Sequence, residues 1–141
     1  MREGIQTTGI AIIYASSFGG HVAETAKYMA KELDADIFDL KKQTKINMTS
    51  YNRVIIGTGI HAGKPFGKVV SFVKDNKAIL DDKKTSLFIC CMYMGDKGDA
   101  QCEKVSKDLG IPDAAYFPDK GETDENGVKK GVVSFIQRMR A

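Results

Sequence analysis

Residues 9–30 read GIAIIYASSFGGHVAETAKYMA. The run from Ile10 to Ala15 is short, apolar and rich in β-branched side chains, which predicts a buried strand. The segment SSFGG at residues 16–20 breaks this run, and a helical pattern follows. A strand, a polar loop and a helix in this order can bind phosphate at the helix N-terminus, or the serines can simply cap the helix. The stretch alone leaves both interpretations open. The apolar face of the helix consists of Val22, Ala26, Met29, Ala30 and Leu33.

Strand-like segments recur along the rest of the chain, each separated from the next by a loop or a helical pattern. Leu87–Met92 is apolar at every position, as expected for a central strand that is covered on both faces. The other predicted strands are Ala35–Leu40, Arg53–Gly57 and Ala114–Phe117.

Three further helices are predicted from apolar residues at helical spacing. The first begins at Pro65, a position that tolerates the missing N–H. The second follows a loop at Tyr93–Gly98 and ends at Gly110, and the third follows a loop at Pro118–Gly127. Their inner faces are Phe66, Val69, Val70 and Val73, then Cys102, Val105 and Leu109, then Val128, Val132, Phe135, Ile136 and Met139.

Five strands that alternate with four helical patterns predict an α/β fold in which helices cover both faces of a parallel sheet. Right-handed crossovers and the size of the chain favour a three-layer sandwich with strand order 2-1-3-4-5, in a single domain over residues 1–141. Ligands of such sheets lie outside the carboxyl ends of strands 1, 3 and 4. The serine loop, a glycine-rich loop and the Tyr93 loop follow these strands, so we expect them to form one site.

The composition argues against several classes of protein. Cys90, Cys91 and Cys102 have no CxxC spacing, so we expect reduced thiols in the cytoplasm rather than disulfides or a metal site. No apolar run approaches the ~20 residues of a membrane span, and the N-terminal residues lack the apolar core of a secretory signal. The net charge of +3 comes without a basic cluster interleaved with aromatic residues, so nucleic acid is not an expected partner.

The second loop, GTGIHAGKP at residues 57–65, fits neither common nucleotide motif. A P-loop needs glycine where Thr58 stands and a hydroxyl where Pro65 stands, and the glycines miss the dinucleotide spacing by one residue. ATP and NAD are therefore not predicted. His61 stands at the apex of this loop, either beside a ligand or as an ordinary surface histidine. In the third loop, Tyr93 can either stack on an aromatic ring, with thioethers at its edges, or close the top of the core.

Two segments carry a family resemblance: YASSFGGHVAETAKYMAKEL at residues 14–33 and YNRVIIGTGIHAGKPFGKVVSFV at residues 51–73, followed by a cysteine-containing apolar strand. They resemble the flavodoxins, and more narrowly the flavodoxin-domain group that includes the menaquinone-dependent protoporphyrinogen oxidases of bacteria. The resemblance extends from about Gly9 to the last helix. It implies a flavodoxin-like fold and non-covalently bound FMN.

The resemblance also assigns roles to three groups of residues. The first group would wrap the FMN phosphate, the second would lie against the isoalloxazine ring, and the third would cover the other side of the ring. The first group is Ser16, Ser17, Phe18, Gly19, Gly20, His21 and Val22; the second is Thr58, Gly59, Ile60, His61 and Ala62; the third is Met92, Tyr93, Met94 and Gly95.

The sequence departs from the family pattern at two of these positions. The phosphate loop of the family usually ends in threonine, where this chain has Val22, or His21 if the loop carries an insertion. One phosphate hydrogen bond would then be missing unless His21 supplies it. The second loop more often carries tyrosine where His61 stands, so the ring contact on that side would be weaker.

The resemblance implies an electron-transfer protein that shuttles electrons between redox partner proteins through FMN, with no catalytic residue of its own. The alternative function is that of a flavin-dependent oxidoreductase of the protoporphyrinogen oxidase or quinone reductase type. A further alternative is a flavodoxin-like interaction module that binds no cofactor. This sequence lacks the long C-terminal extension of the oxidases after the fifth strand, and this difference favours the electron carrier over the enzyme. The sequence also leaves open whether the protein forms a weak homodimer.

Overall fold

Five parallel strands form the central sheet of the computed structural model, which describes residues 9–17 and 20–140. A short sixth strand pairs antiparallel with the end of the third long one. The strands are β1 (Gly9–Tyr14), β2 (Asp36–Asp39), β3 (Tyr51–His61), the short β4 (Lys64–Pro65), β5 (Lys84–Cys91) and β6 (Ala114–Pro118). Their order across the sheet is β2-β1-β3-β5-β6, which confirms the predicted 2-1-3-4-5 arrangement once β4 is set aside.

Helices cover both faces of the sheet, as the flavodoxin-like three-layer sandwich requires. One core cluster contains residues of the second, third and fourth helices, and the other contains residues of the first and last. No helix of residues 9–17 and 20–140 is long and apolar enough to cross a membrane. The helices are α1 (His21–Leu33), α2 (Gly67–Asp75), α3 (Lys77–Asp81), α4 (Gly95–Leu109) and α5 (Lys130–Met139).

The alternation of side chains along β1, β3 and β5 divides the core in two. Ile13 and Ile56 belong to the cluster under α2, α3 and α4, whereas Ile12 and Ile55 belong to the cluster under α1 and α5. All four side chains are fully buried. Strands buried on both faces therefore explain why these segments are apolar at consecutive positions.

The register of the sheet brings the carboxyl ends of its strands to one edge. Tyr14 of β1 pairs with Gly57 of β3, and Gly59 pairs with Cys90 of β5. Cys91 in turn pairs with Pro118 of β6. The loops that follow β1, β3, β5 and β6 thus begin beside one another at this edge.

The second predicted loop is partly strand. β3 continues four residues past the predicted end at Gly57, and Pro65 lies in β4 rather than at the start of a helix. The reason is Thr58, whose fully buried hydroxyl accepts a hydrogen bond from Phe66 N at 3.0 Å. This bond ties the end of β3 to the residue before α2. Helix α2 therefore begins at Gly67.

Three details of the predicted helices also differ. Asn76 separates α2 from α3, a short helix that the pattern did not reveal, and its side chain donates to Phe72 O at 2.8 Å. Val70 was expected on the inner face of its helix but is 38% exposed, because Phe72 takes the inward position. Val128 packs against the core from outside α5, which begins two residues later.

The Phe88 side chain packs directly against the backbone of β3 at Gly57. A Cβ atom added at Gly57 would overlap the Phe88 ring, which is fully buried. Gly67 provides the contrast, since a Cβ atom there would meet no other atom within 4 Å.

We predict that Gly57→Ala lowers the free energy of unfolding by about 1–3 kcal/mol, because a tightly packed ring must shift to make room for the methyl group. Gly67→Ala adds the same methyl group in open space and should leave stability unchanged or raise it. Urea denaturation followed by circular dichroism measures both. Equal losses for the two variants would show that the contact with Phe88 is not the cause.

Asp113 directly precedes β6 and links the start of this strand to β5 and α5. Its carboxylate accepts hydrogen bonds from Ser86 Oγ of β5 at 2.5 Å and from Arg138 Nη1 of α5 at 2.8 Å. Partial burial disfavours its charge, but these two bonds outweigh the burial and hold the pKa of the Asp113 carboxyl below its usual value of 3.8.

A carboxyl group with a lowered pKa in the folded state stabilises the fold above its unfolded pKa, and that contribution disappears as the pH falls through the folded pKa. Asp113→Asn should therefore be less stable than the original chain at pH 7, and the difference should shrink when the pH is lowered from about 4 towards 2. Urea midpoints at several pH values test this. A difference that is constant over the whole range would exclude ionisation of Asp113 as its source.

Candidate functional site

A cleft of about 370 Å³ opens at the edge of the sheet where the strands end. Its wall is built from the start of α1, the β3–β4 hairpin, the segment after β5 and the first residue after β6. The predicted convergence of three loops is thus observed, and β6 adds a fourth. The lining residues are Ser17, His21, Val22, Gly59, Ile60, Ala62, Gly63, Phe66, Cys90, Cys91, Met92, Tyr93, Gln101 and Asp119.

Half of the residues named from the sequence line this cleft. Two others, Phe18 and Gly19, lie outside the described residues. Those that lie off the cleft wall are Ser16, Gly20, Thr58, His61, Met94 and Gly95. Those that line it are Ser17, His21, Val22, Gly59, Ile60, Ala62, Met92 and Tyr93.

The two serines after β1 have different surroundings. Ser16 Oγ donates to Asp39 Oδ2 at 2.9 Å, and Ser16 N donates to the other oxygen of the same carboxylate at 3.2 Å. Partial burial of Asp39 is outweighed by bonds from Lys41 N and from Ser16, so the pKa of this carboxyl is lowered. The Ser16 hydroxyl is therefore engaged in joining β1 to β2. Ser17 is the serine that faces the cleft.

Helix α1 begins at the cleft without a side-chain cap. Gly20 precedes it with φ 76°, a left-handed conformation that favours glycine, and Gly20 O accepts the hydrogen bond of Glu24 N at 2.9 Å. The N–H groups of the first three helical residues, His21, Val22 and Ala23, have no partner within the helix, and the positive end of the helix dipole lies here. No lysine or arginine occurs between Ser16 and Glu24. This end of the cleft therefore suits an anion that binds through amides and hydroxyls.

The β3–β4 hairpin turns in two residues, Ala62 and Gly63, whose φ angles are 53° and 78°. Positive φ at both positions is typical of a type I′ turn, which matches the twist of the paired strands. Ala62 adopts this conformation at a cost, because its Cβ approaches the backbone. Both turn residues line the cleft, whereas the exposed His61 lies in the strand and pairs with Lys64.

We predict that Ala62→Gly stabilises the protein by up to about 1 kcal/mol, since relief of the left-handed strain exceeds the entropy cost of glycine. Gly63→Ala should have the opposite effect, a loss of about 1 kcal/mol, because it introduces the same strain at the neighbouring position. Chemical denaturation of the two variants gives the comparison. Destabilisation by Ala62→Gly would contradict the assignment of strain to Ala62.

The segment between β5 and α4 forms an exposed apolar tip. Met92 is 79% exposed, Tyr93 51% and Met94 50%. The Lys97 ammonium group lies 5.9 Å from the centre of the Tyr93 ring, a distance at which a cation attracts an aromatic face. Tyr93 therefore stands at the mouth of the cleft and does not close the core.

The floor of the cleft contains two neutral thiols. Cys90 and Cys91 point to opposite faces of the sheet, as expected for neighbours in a strand, and each is buried in a different core cluster. Burial raises the pKa of Cys90 to about 11 and also raises the pKa of Cys91 and of Cys102. All three groups are protonated at neutral pH, which makes them poor nucleophiles.

Two polar residues of the cleft were not anticipated from the sequence. Gln101 comes from the second turn of α4, and its buried Oε1 atom has no hydrogen-bond partner among the described residues. Asp119 follows β6, and its N–H donates to Cys91 O at 2.8 Å. No motif marks Gln101, whereas Asp119 could have been found from its place after the predicted fifth strand. Gly63, Phe66, Cys90 and Cys91 complete the unanticipated set.

His21 and Asp119 face each other within the cleft. His21 Nδ1 lies 3.3 Å from Asp119 Oδ1, and the two side chains are 54% and 40% exposed. The contact joins the start of α1 to the segment after β6, which are far apart in the sequence.

The sequence matches the family model of the flavodoxin domain over residues 11–139. Because this match covers nearly the whole chain, the protein belongs to the flavodoxin-domain family. The resemblance that the serine loop and the β3 segment indicated is thereby confirmed. No curated protein matches the sequence.

Solved structures of flavodoxins share the fold. Flavodoxin 2 of Bacillus cereus is 16% identical with a TM-score of 0.68, over 94% of this chain and 98% of that one. Flavodoxin 1 of the same organism is 19% identical with a TM-score of 0.67, over 94% and 97%. A mutant Fusobacterium nucleatum flavodoxin bound to flavin mononucleotide is 14% identical with a TM-score of 0.62, over 97% and 98%.

Proposed function

We propose that this protein binds FMN non-covalently in the cleft at the strand ends and carries electrons between redox partner proteins. The observation that supports this most directly is that one end of the cleft, at the start of α1, suits an anion, whereas the lining after β5 carries the aromatic ring of Tyr93 and the thioether of Met92. A flavin mononucleotide has the same two parts, a phosphate and a flat ring.

The residues at the α1 end fit the phosphate. Ser17 supplies a hydroxyl at the cleft wall, and the first turn of α1 supplies N–H groups that have no partner within the helix. His21, the first residue of α1, is the residue of the cleft lining that can also carry positive charge. We assign the phosphate to these groups.

The residues at the other end fit the isoalloxazine ring. Tyr93 and Met92 line the cleft after β5, and the hairpin residues Ala62 and Gly63 line it after β3. We assign the flat ring to the space between these two segments. The unpartnered Oε1 of Gln101 can accept a hydrogen bond from an N–H group of the ring, which would satisfy a buried polar atom.

FMN, when bound, supplies the redox chemistry, because it accepts and releases electrons singly or in pairs. The protein contributes binding, orientation and access. The exposed tip at Met92, Tyr93 and Met94 lies directly beside the cleft, so a partner can approach the cofactor without any opening of the fold. This accessibility favours a carrier of electrons over an enzyme that encloses a substrate.

The first experiment is a titration of the purified protein with FMN, followed by the loss of flavin fluorescence and by the absorption spectrum. Tyr93→Ala should weaken binding about two- to tenfold, since an aromatic contact contributes ~0.5–1.5 kcal/mol beyond its buried area. Ile79→Ala is the matched control: Ile79 is 47% exposed on α3 and is absent from the cleft wall, so affinity should not change.

A protein that leaves FMN fluorescence unchanged would refute the proposed cofactor. If FMN binds, the chemically reduced complex should reduce cytochrome c, a one-electron acceptor, in an anaerobic stopped-flow experiment. Failure of that transfer, with turnover of a quinone instead, would replace the electron carrier by an enzyme.

A further inference from the structure

The contact between His21 and Asp119 crosses the end of the cleft that suits an anion. His21 is held from the backbone, since its carbonyl oxygen accepts the Thr25 hydroxyl at 2.8 Å. Asp119 is held by the hydrogen bond of its N–H to Cys91 O. Between these two backbone segments, His21 Nδ1 and Asp119 Oδ1 lie 3.3 Å apart.

The carboxylate determines which nitrogen of the imidazole carries a proton. An ionised carboxylate has only acceptors, so the contact is favourable when the Nδ1 atom that faces Asp119 carries the hydrogen. In the neutral ring Nε2 then has a lone pair, and it can donate a hydrogen bond only when the ring takes up a second proton. A phosphate oxygen is also only an acceptor. While it keeps its contact with Asp119, His21 can therefore donate a hydrogen bond to a phosphate oxygen only as the imidazolium.

The other charged groups around this contact do not remove the need for that proton. Asp119 itself would repel a phosphate dianion, and Glu24 on the first turn of α1 is also acidic. Burial has the largest effect on the pKa of the Cys90 thiol at the floor of the cleft; the charge of Lys129 lowers this pKa and that of Asp119 raises it, so both charges act near the cleft. A second lysine, Lys120, follows Asp119 in the sequence. The protonated ring of His21 is the charge that would lie between Asp119 and the anion.

We propose that His21 and Asp119 make phosphate recognition proton-linked, so that the cleft takes up a phosphomonoester dianion together with one proton on His21. Asp119 is the positioning residue that imposes this stoichiometry, and His21 is the binding residue. The proposal rests on the proposed FMN function and specifies how the phosphate is recognised. It predicts that the preference for FMN over riboflavin, which lacks the phosphate, falls as the pH rises.

The test measures the dissociation constants of FMN and of riboflavin between pH 6.5 and 8.5. This range lies above the second pKa of a phosphomonoester, about 6, so the phosphate is mainly a dianion throughout. For the original chain, FMN affinity should fall about tenfold or more over this range, the size of one charge-assisted hydrogen bond. Riboflavin affinity should stay constant, because the ligand has no phosphate for His21 to bind.

Three variants separate the roles. His21→Gln should bind FMN more weakly at pH 6.5 and show no further loss at pH 8.5. Asp119→Asn should keep its FMN affinity within about threefold between the two pH values, because an amide can donate to Nδ1 and leave the proton on Nε2 of a neutral ring. Glu122→Gln removes the same charge from a side chain that is 79% exposed and pairs with Lys130, so it should retain the pH dependence of the original chain.

Calorimetry in two buffers with different ionisation enthalpies gives a second measurement. FMN binding at pH 7.5 should take up protons in the original chain and none in His21→Gln. Equal pH dependence and equal proton uptake in these two proteins, with FMN bound to both, would overturn the inference and leave the proposed function intact. Absence of flavin binding at every pH would overturn the proposed function and the inference with it.

Discussion

The parallel register of β1, β3 and β5 is the constraint on which the cleft depends. Because Tyr14, Gly57 and Phe88 lie side by side across the sheet, the strands end at one edge. The chain must then leave each strand in the same direction, so segments far apart in the sequence meet there. Gly57 makes this alignment compatible with a fully buried aromatic ring, and Thr58 fixes the turn beyond it. The cleft is thus a consequence of the sheet.

The strand order, the two core faces and the convergence of the loops could be predicted because each follows from local periodicity and general rules of topology. The extent of β3 could not. Glycines at 57 and 59 have low strand propensity, and they are accommodated because Phe88 and Phe66 approach the backbone closely at those positions. These close contacts form only in the folded protein, so the local sequence does not reveal them. The short α3 was not predicted either, because its five residues contain too few apolar positions to show a helical spacing.

The candidate site was predicted in part. Ser17 and Tyr93 come shortly after β1 and β5, and both line the cleft that the topology led us to expect. Ile60 also lines it, but from within β3. Gln101 was not found because it reaches the cleft from a helix face, and no local pattern marks such a residue. His61 was predicted to lie at the site but does not line the cleft. It lies in a loop-like stretch of sequence, yet the hairpin geometry places it in a strand outside the cleft wall.

The parallel pairing has a further consequence for folding kinetics. Ala11 pairs with Asp36 and Val54, Val54 pairs with Thr85, and Leu87 pairs with Ala114, so the contacts that join the five parallel strands are all non-local. Such contacts require long loops to close and therefore form slowly, whereas the Ala62–Gly63 hairpin joins near neighbours. The walls of the cleft come from separate loops and can meet only after the sheet has assembled. A substitution that slows sheet assembly would therefore also delay the formation of the cleft.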